Sequence, residues 1–393
     1  YTVLVCLFSG IVTSFWTLYI DDVINNDAVV YIRTAEYLSR NDWWSAMSTH
    51  HWPFFSLLML YMSDIFTITY QAAGQILNAV FFTVSSALFV FVVRAFGGVS
   101  QRLTVFAALI AILHPAFNEY RAFIIRDAGY LMFYLIALLC LAKSVTAGGL
   151  WYSIGLIFSL AVSSLFRIEG VVFLLLTPLL LKFSRRASVG SGWSWLLLLV
   201  VAAGLLAIVV GWWLVAPNAG GNPFELQSPF EIMNNAWSQI GFSVTHKIQV
   251  LKHEFLGQYA TEYAYALFIF AVITILISAV LSQLTIPWAA ILFVGLWSGV
   301  RFPQGAQNRL WLILLGMHLV ILLVFAIVKL FLVSRYPLAL TITSLIMIPF
   351  VLDWMVQAIR WQKLNIPARL FSLILLVWGM GECVSGLDNF TRA

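Results

Sequence analysis

The apolar residues of this chain come in unbroken runs. No charged side chain stands between Asp64 and Arg94, and none between Glu262 and Arg301. A helix needs about 20 such residues to cross the hydrocarbon core of a bilayer. Inside lipid every backbone polar group must be satisfied by the chain itself, which an α-helix does within one segment. Composition agrees: 9% of the 393 residues are charged and 62% are hydrophobic, against about 25% charged in soluble domains. The expected fold is therefore all-α, a polytopic integral membrane protein forming one transmembrane domain over 1–393. The net charge of +5 is no nucleic-acid signal, because the basic residues sit in short clusters between the apolar runs. Membrane lipids are the expected surroundings. Cys6, Cys140 and Cys383 lie far apart and imply neither a disulfide framework nor a metal site. The chain opens at Tyr1 rather than methionine, so a preceding piece is expected. The first apolar stretch reads as a retained helix rather than a signal peptide.

The runs suggest a topology. Thr2–Ile20 is a first span, followed by a polar stretch over 21–66 that ends in the short apolar segment Pro53–Met62. That segment suits an interfacial helix. Further spans are expected at Ala72–Val93, Leu103–Leu113, Ala128–Leu141, Trp151–Phe166, Val171–Leu181 and Trp195–Val215. The basic residues Arg94, Arg102, Lys182, Arg185 and Arg186 mark cytoplasmic ends, which puts 21–66 on the opposite, outer face. Residues 216–262 are expected to cap that face. In the last third, candidate spans are Ala264–Leu281, Ile286–Val300, Leu310–Leu330, Pro337–Asp353 and Ala368–Val384. Arg360, Lys363 and Arg369 read as cytoplasmic, so Arg335 lies outside, and three full crossings before it break the parity. The shortest segment, Ile286–Val300, with Pro287 at its head, is expected to be re-entrant. That leaves Arg301 and Arg309 on the cytoplasmic side and about eleven spans in all.

The stretch Ile20–Pro53 is a polar island holding Asp21, Asp22, Asp27, Glu36, Asp42, His50 and His51. Asp27, Tyr31, Ala35 and Leu38 recur at helical spacing, which predicts a short amphipathic helix with Asp27 in its first turn. Three more polar features fall on the same face: Asp127 with Arg121 and Arg126, Arg167 with Glu169, and Arg335 with Tyr336. Ionisable groups at span ends are costly unless paired or functional. Arginines grip a phosphate through paired N–H groups and stabilise it as it leaves. A carboxylate can take a proton from an attacking hydroxyl. The combination suits glycosyl transfer from a lipid-phosphate sugar. Plainer roles exist for each: Asp27 as a first-turn carboxylate favoured by the helix dipole, Asp127 as a cap, Arg335-Tyr336 as an interfacial anchor, and Arg167-Glu169 as a local pair. His50 and His51 are adjacent, so they do not share a helix face as a zinc pair would.

Four short motifs resemble those of polytopic glycosyltransferases of the C superfamily, and most of all its protein-mannosyltransferase and aminoarabinose-transferase-like group. They are Asp27-Ala28-Val29-Val30-Tyr31-Ile32-Arg33-Thr34-Ala35, Trp52-Pro53-Phe54, Arg126-Asp127-Ala128-Gly129-Tyr130 and Ser334-Arg335-Tyr336-Pro337. They cover mainly the first 185 residues and a stretch near 335. Where that family often has Asp-Glu, this chain has Asp27-Ala28, and the upstream Asp21-Asp22 pair is the alternative for the role.

The resemblance implies an inverting transferase that takes a sugar from a polyprenyl-phosphate donor to a glycan, lipid or protein hydroxyl. It would use a donor presented in the outer leaflet, without a cofactor; no metal ligand is assigned, and the short loops and compact length point to a bacterial inner membrane with an outward-facing site. Asp27 would be the general base and Asp127 would orient acceptor or sugar. Arg335, with Arg126 or Arg167, would hold the donor phosphate, and Tyr336 would hydrogen-bond it. Tyr31, Asp22, His51 and Glu169 are the candidate substrate contacts. The competing readings are a lipid-linked sugar flippase or transporter, which would show repeats or midplane charges, an oligosaccharide polymerase or ligase, and a non-catalytic scaffold with scattered polar groups.

Overall fold

A computed structural model describes residues 1–20, 24–147, 150–184, 241–242, 244–257 and 259–360, with 204 and 377. Among these the secondary structure is helical and no strand occurs. The elements are α1 (Thr2–Ile20), α2 (Asn26–Ser39), α3 (Trp43–Thr49), α4 (Phe54–Phe66), α5 (Tyr70–Ala95), α6 (Gln101–Leu113), α7 (Pro115–Asn118), α8 (Asp127–Thr146), α9 (Leu150–Phe166), α10 (Glu169–Ser184), α11 (Ala264–Leu284), α12 (Ile286–Trp297), α13 (Gly305–Lys329), α14 (Leu338–Leu345) and α15 (Ile348–Arg360).

Five segments among the described residues are long and apolar enough to cross a membrane: α5, α8, Thr261–Leu284, α13 and Leu338–Ala358. These are compatible with an integral membrane protein. The expected span α6, the expected interfacial helix α4 and the expected re-entrant segment α12 are shorter apolar helices. Nearly all of Trp195–Val215 and of Ala368–Val384 and most of the 216–262 cap lie outside the described residues.

The core is built on α5 and α8. Phe81, Phe82, Phe89, Tyr134 and Phe166 interlock there. Small side chains let the helices approach closely, as helix packing in an apolar medium requires. A Cβ on Gly129 of α8 would collide with the Phe166 ring at the α9 end.

Arg121 sits in this core with 1% of its surface exposed. The sequence groups it with Asp127, but its guanidinium is turned into the seam between α1 and α5. It donates to Asn118 Oδ1 (2.9 Å), Gly10 O (3.2 Å), Ser14 Oγ (2.9 Å), Thr83 Oγ1 (3.4 Å) and Ser86 Oγ (3.2 Å). Among the described residues no ion pair to a carboxylate is made. The charge is met by neutral acceptors, which ties α1, α5 and α7 into one unit.

The bundle has two distinct ends. At one end lie Asp27, Asp127, Arg167 and Arg335. At the other lie Arg94, Arg301, Arg309 and the Arg102–Asp353 ion pair (3.2 Å). Both ends of α11 make contacts at the first of these. Phe268 and Val272 pack near Ala326 at the end of α13. Gln283 accepts from Tyr120 OH (3.1 Å), which also bonds Ser334 beside Arg335 (2.9 Å). The helix stops at Thr285, where φ reaches 60°, and Pro287 opens α12 in the first turn, where its missing N–H is harmless. α12 then leads from Trp288, 5.8 Å from His114, to Phe302, whose ring lies 5.1 Å from Phe96 at the other end. The re-entrant reading of Ile286–Val300 is therefore replaced: this segment connects the two ends. Length does not reveal this, because α12 has only 12 residues, and the contacts at its two ends decide it.

Replacing Arg121 by alanine strands Asn118 Oδ1 and the hydroxyls around it. The expected loss is about 3 kcal/mol, read as a lower thermal midpoint of the purified protein in detergent, with Arg121→Lys recovering only part of it.

Candidate active site

The first turn of α2 is placed by Asn25. Its side chain accepts from Ile124 N (2.9 Å) and donates to Ile124 O (3.3 Å), pinning the start of α2 to the segment just before Asp127. The helix then buries Ala28, Tyr31, Thr34, Ala35 and Leu38, the face that the spacing predicts. Asp27 is left at the rim in the first turn, where the dipole favours it. Asp42 is a cap: its Oδ1 accepts from Ser45 N (3.0 Å), and its hydrogen bonds to Ser45 hold its carboxyl below the usual range. Trp52 Nε1 donates to Ser164 O (2.8 Å) and docks the α3–α4 turn on the end of α9.

Two ion-pair groups meet here. Asp27 pairs with Arg335. Buried Asp127 pairs with Arg167, which also holds Glu169 through its Nε (3.0 Å) and a terminal nitrogen. The Arg167 guanidinium lies 5.2 Å from the Tyr336 ring centre and 5.9 Å from that of Tyr130, a cation–π arrangement. Tyr336 is held from behind by Phe325, with ring centres 4.9 Å apart. For Arg335, burial opposes the charge, but Asp127 and Asp27 outweigh it and the net shift is upward. Its Nε is buried without a partner. A cavity of about 20 Å³ opens between the groups, lined by Asp127, Tyr130, Arg167, Glu169, Arg335 and Tyr336 among others. That is room for about one water. Each of the two guanidiniums is engaged by a carboxylate, so the site as it stands is closed by its own ion pairs.

A second shelf adjoins it. Arg126 Nη1 lies 3.2 Å from His50 Nε2. Burial, helped by the Arg126 charge, pushes the His50 pKa down to about 4. The imidazole is thus neutral near pH 7, with Nε2 accepting from Arg126 and the ring proton on Nδ1. Tyr31 meets His50 and Phe55 edge to face at 5.2 and 5.3 Å, and burial raises its pKa to about 12.

The structure thus gathers Asp27, Tyr31, Arg126, Asp127, Arg167, Glu169, Arg335 and Tyr336 at one end of the bundle. His51 is exposed beside His50 and is not part of the cavity lining. Asp22 lies outside the described residues. The segment 244–257 packs on α11 and the end of α13, with Lys247 donating to Val328 O. Among the described residues no group of three His, Cys, Asp or Glu side chains is placed to hold a metal ion.

His318, which sequence reading passed over, forms part of the cavity lining. Its Nε2 lies 2.8 Å from Tyr134 OH, and that hydroxyl lies 2.8 Å from Thr343 Oγ1. The signal available was a lone histidine in the apolar run of α13. No protein-family model matches the chain, and no curated protein sequence matches it either.

Two outcomes are expected. Arg167→Met strands the buried Asp127 and the half-buried Glu169 and should cost about 3–5 kcal/mol, whereas Asp127→Asn, which leaves the Arg167–Glu169 pair, should cost less; chemical denaturation in mixed micelles measures both. Because folded His50 titrates near 4 rather than 6.5, the unfolded chain binds more protons between those values, and stability falls as pH drops through that window. Thermal midpoints between pH 7 and pH 5 should fall for the wild type and fall less steeply for His50→Gln.

Proposed function

We propose that this chain is an inverting glycosyltransferase that moves a sugar from a polyprenyl-phosphate donor to an acceptor hydroxyl, of the C-superfamily type that its motifs resemble. The observation that carries the reading is the Asp27–Arg335 ion pair, set beside the Asp127–Arg167–Glu169 group at one end of the bundle. Those residues come from three of the resembling motifs and from Arg167-Glu169, which are scattered over more than 300 positions of the sequence. A scaffold has no need to collect them, and a transporter would set its charges near the middle of its helices rather than at one end.

The chemistry follows from the pairing. A donor phosphate competes with carboxylates for guanidinium forks. When it takes Arg335, Asp27 loses its partner and is freed at the rim as a general base. The acceptor hydroxyl gives its proton to Asp27 while its oxygen attacks the anomeric carbon. The bond from that carbon to the phosphate oxygen breaks, and the electron pair leaves on the lipid phosphate, which Arg335 stabilises with Arg126. Asp127 stays with Arg167 and Glu169 and orients the sugar. A single displacement needs base and leaving group on opposite sides of the anomeric carbon, as in inverting glycoside hydrolysis, which inverts the configuration there. On this reading the site faces the outer side of a bacterial plasma membrane.

The test is sugar transfer from a panel of radiolabelled polyprenyl-phosphate sugars in detergent. Asp27→Asn should lower the rate about 10²–10⁴-fold while binding the donor. Arg335→Ala should weaken donor binding and rate together. A folded wild type that neither transfers from nor binds any such donor would remove the proposal.

A further inference from the structure

The end of the bundle away from Asp27 holds a cavity of about 600 Å³, far larger than the one at the ion pairs and within the range of small-molecule sites, roughly 300–1,000 Å³. Arg301 and Arg309 stand in its wall, exposed. Among the described residues neither forms an ion pair, and no acidic side chain is in the lining. Behind them the wall is apolar, with Leu296, Phe302, Leu312 and Met347. Leu312 and the neighbouring Trp297 are exposed by 58% and 83%, so the apolar slot continues onto the outer surface of the helices.

The cavity has a fixed frame. α12 ends on Gly299, whose φ of 78° suits glycine, with Val300 N donating to Gly295 O (2.9 Å) and Gly299 N to Leu296 O (3.1 Å). That reversal brings Arg301 to the mouth. Asn308 then clamps the loop, accepting from Phe302 N (2.9 Å) and donating to Phe302 O (3.0 Å). Gln307 donates to Ala95 O (2.9 Å) and fastens the start of α13 to the end of α5. Arg301 and Arg309 are thus mounted on either side of a loop held from both directions.

We propose that this cavity binds a phospholipid of net negative charge, its phosphate between Arg301 and Arg309 and its chains along the Leu296–Leu312 slot. Charge complementarity decides the occupant. Two guanidiniums without an acid partner call for an anion, and the apolar slot below them calls for an alkyl chain. Basic pockets between membrane helices are suited to such headgroups. The site stands apart from the proposed transfer chemistry and does not depend on it; it depends only on the helices lying in a bilayer.

The test uses the full chain purified in a neutral detergent, with native mass spectrometry counting retained lipid. Phosphatidylglycerol is compared with phosphatidylcholine carrying the same acyl chains. The wild type should retain one phosphatidylglycerol strongly and phosphatidylcholine weakly. The double variant Arg301→Ala/Arg309→Ala, both positions being exposed, should fold and lose affinity for phosphatidylglycerol roughly 30-fold. Arg94→Ala, an exposed cation at the same end but outside the cavity, should leave retention unchanged. Equal retention of the two lipids, or undiminished retention by the double variant, overturns the proposal. So does thermal stabilisation by inorganic phosphate alone that equals the lipid's, which would make this a free-anion site.

Discussion

Charge in an apolar bundle has to be answered where it lies. Water is not at hand to solvate a guanidinium or a carboxylate, so each buried one needs partners supplied by the chain. This protein answers that demand in two ways. Arg121 is met by five neutral acceptors from three neighbouring segments, and so becomes a cross-brace of the helices. Asp127, Arg167 and Glu169 answer one another, as do Asp27 and Arg335. The first solution rigidifies the bundle. The second leaves charge that a competing anion can rearrange, which is what a site for an anionic substrate needs.

The position of that exchangeable charge depends on a few polar contacts between distant segments. Asn25 holds α2 to Ile124, Trp52 holds the α3–α4 turn to Ser164, and Tyr120 holds the end of α11 to Ser334. Each uses a side chain with both an apolar body and a polar tip, or an amide that bonds both groups of one peptide. Together they bring the beginnings of α2, α8, α10 and α14 to one level. All four helices start at this end, so their N-terminal dipoles converge on it, and the carboxylates of Asp27, Asp127 and Glu169 sit in first turns. The dipoles and the arginines act on the same three carboxylates.

The two ends of the bundle are built on opposite terms. At the Asp27 end Arg167 and Arg335 are matched by acids and the cavity holds about 20 Å³. At the Arg301 end the cavity is about 600 Å³ and its cations have no acid partner among the described residues. Trp311 belongs to both neighbourhoods: it is in the lining of the larger cavity and donates to Thr343 O (2.8 Å), one residue of the Tyr134–His318 group.

How much of this was legible beforehand can be read residue by residue. The helical character follows from apolar runs too long for anything else to satisfy their backbones. The face of α2 follows from the spacing of Asp27, Tyr31, Ala35 and Leu38, because a 3.6-residue period is a local property. That Asp27, Asp127, Arg167 and Arg335 share one end follows from alternation of short spans, with the basic residues marking the other end. The direction of Arg121 was not legible, since a guanidinium six positions from Asp127 can turn either way and only the hydroxyls on α1 and α5 decide it. The course of α12 was not legible either, because length and hydropathy do not say whether a short helix connects the two ends or re-enters; its contacts near His114 and Phe96 do. Nor was His318, whose role depends on Tyr134 and Thr343 from other helices. The sequence by itself determined which segments are helical and which carry charge, as both depend on near neighbours. Tertiary structure alone decided which charge answers which, because the pairing of buried ions is set by distances between segments far apart in the chain.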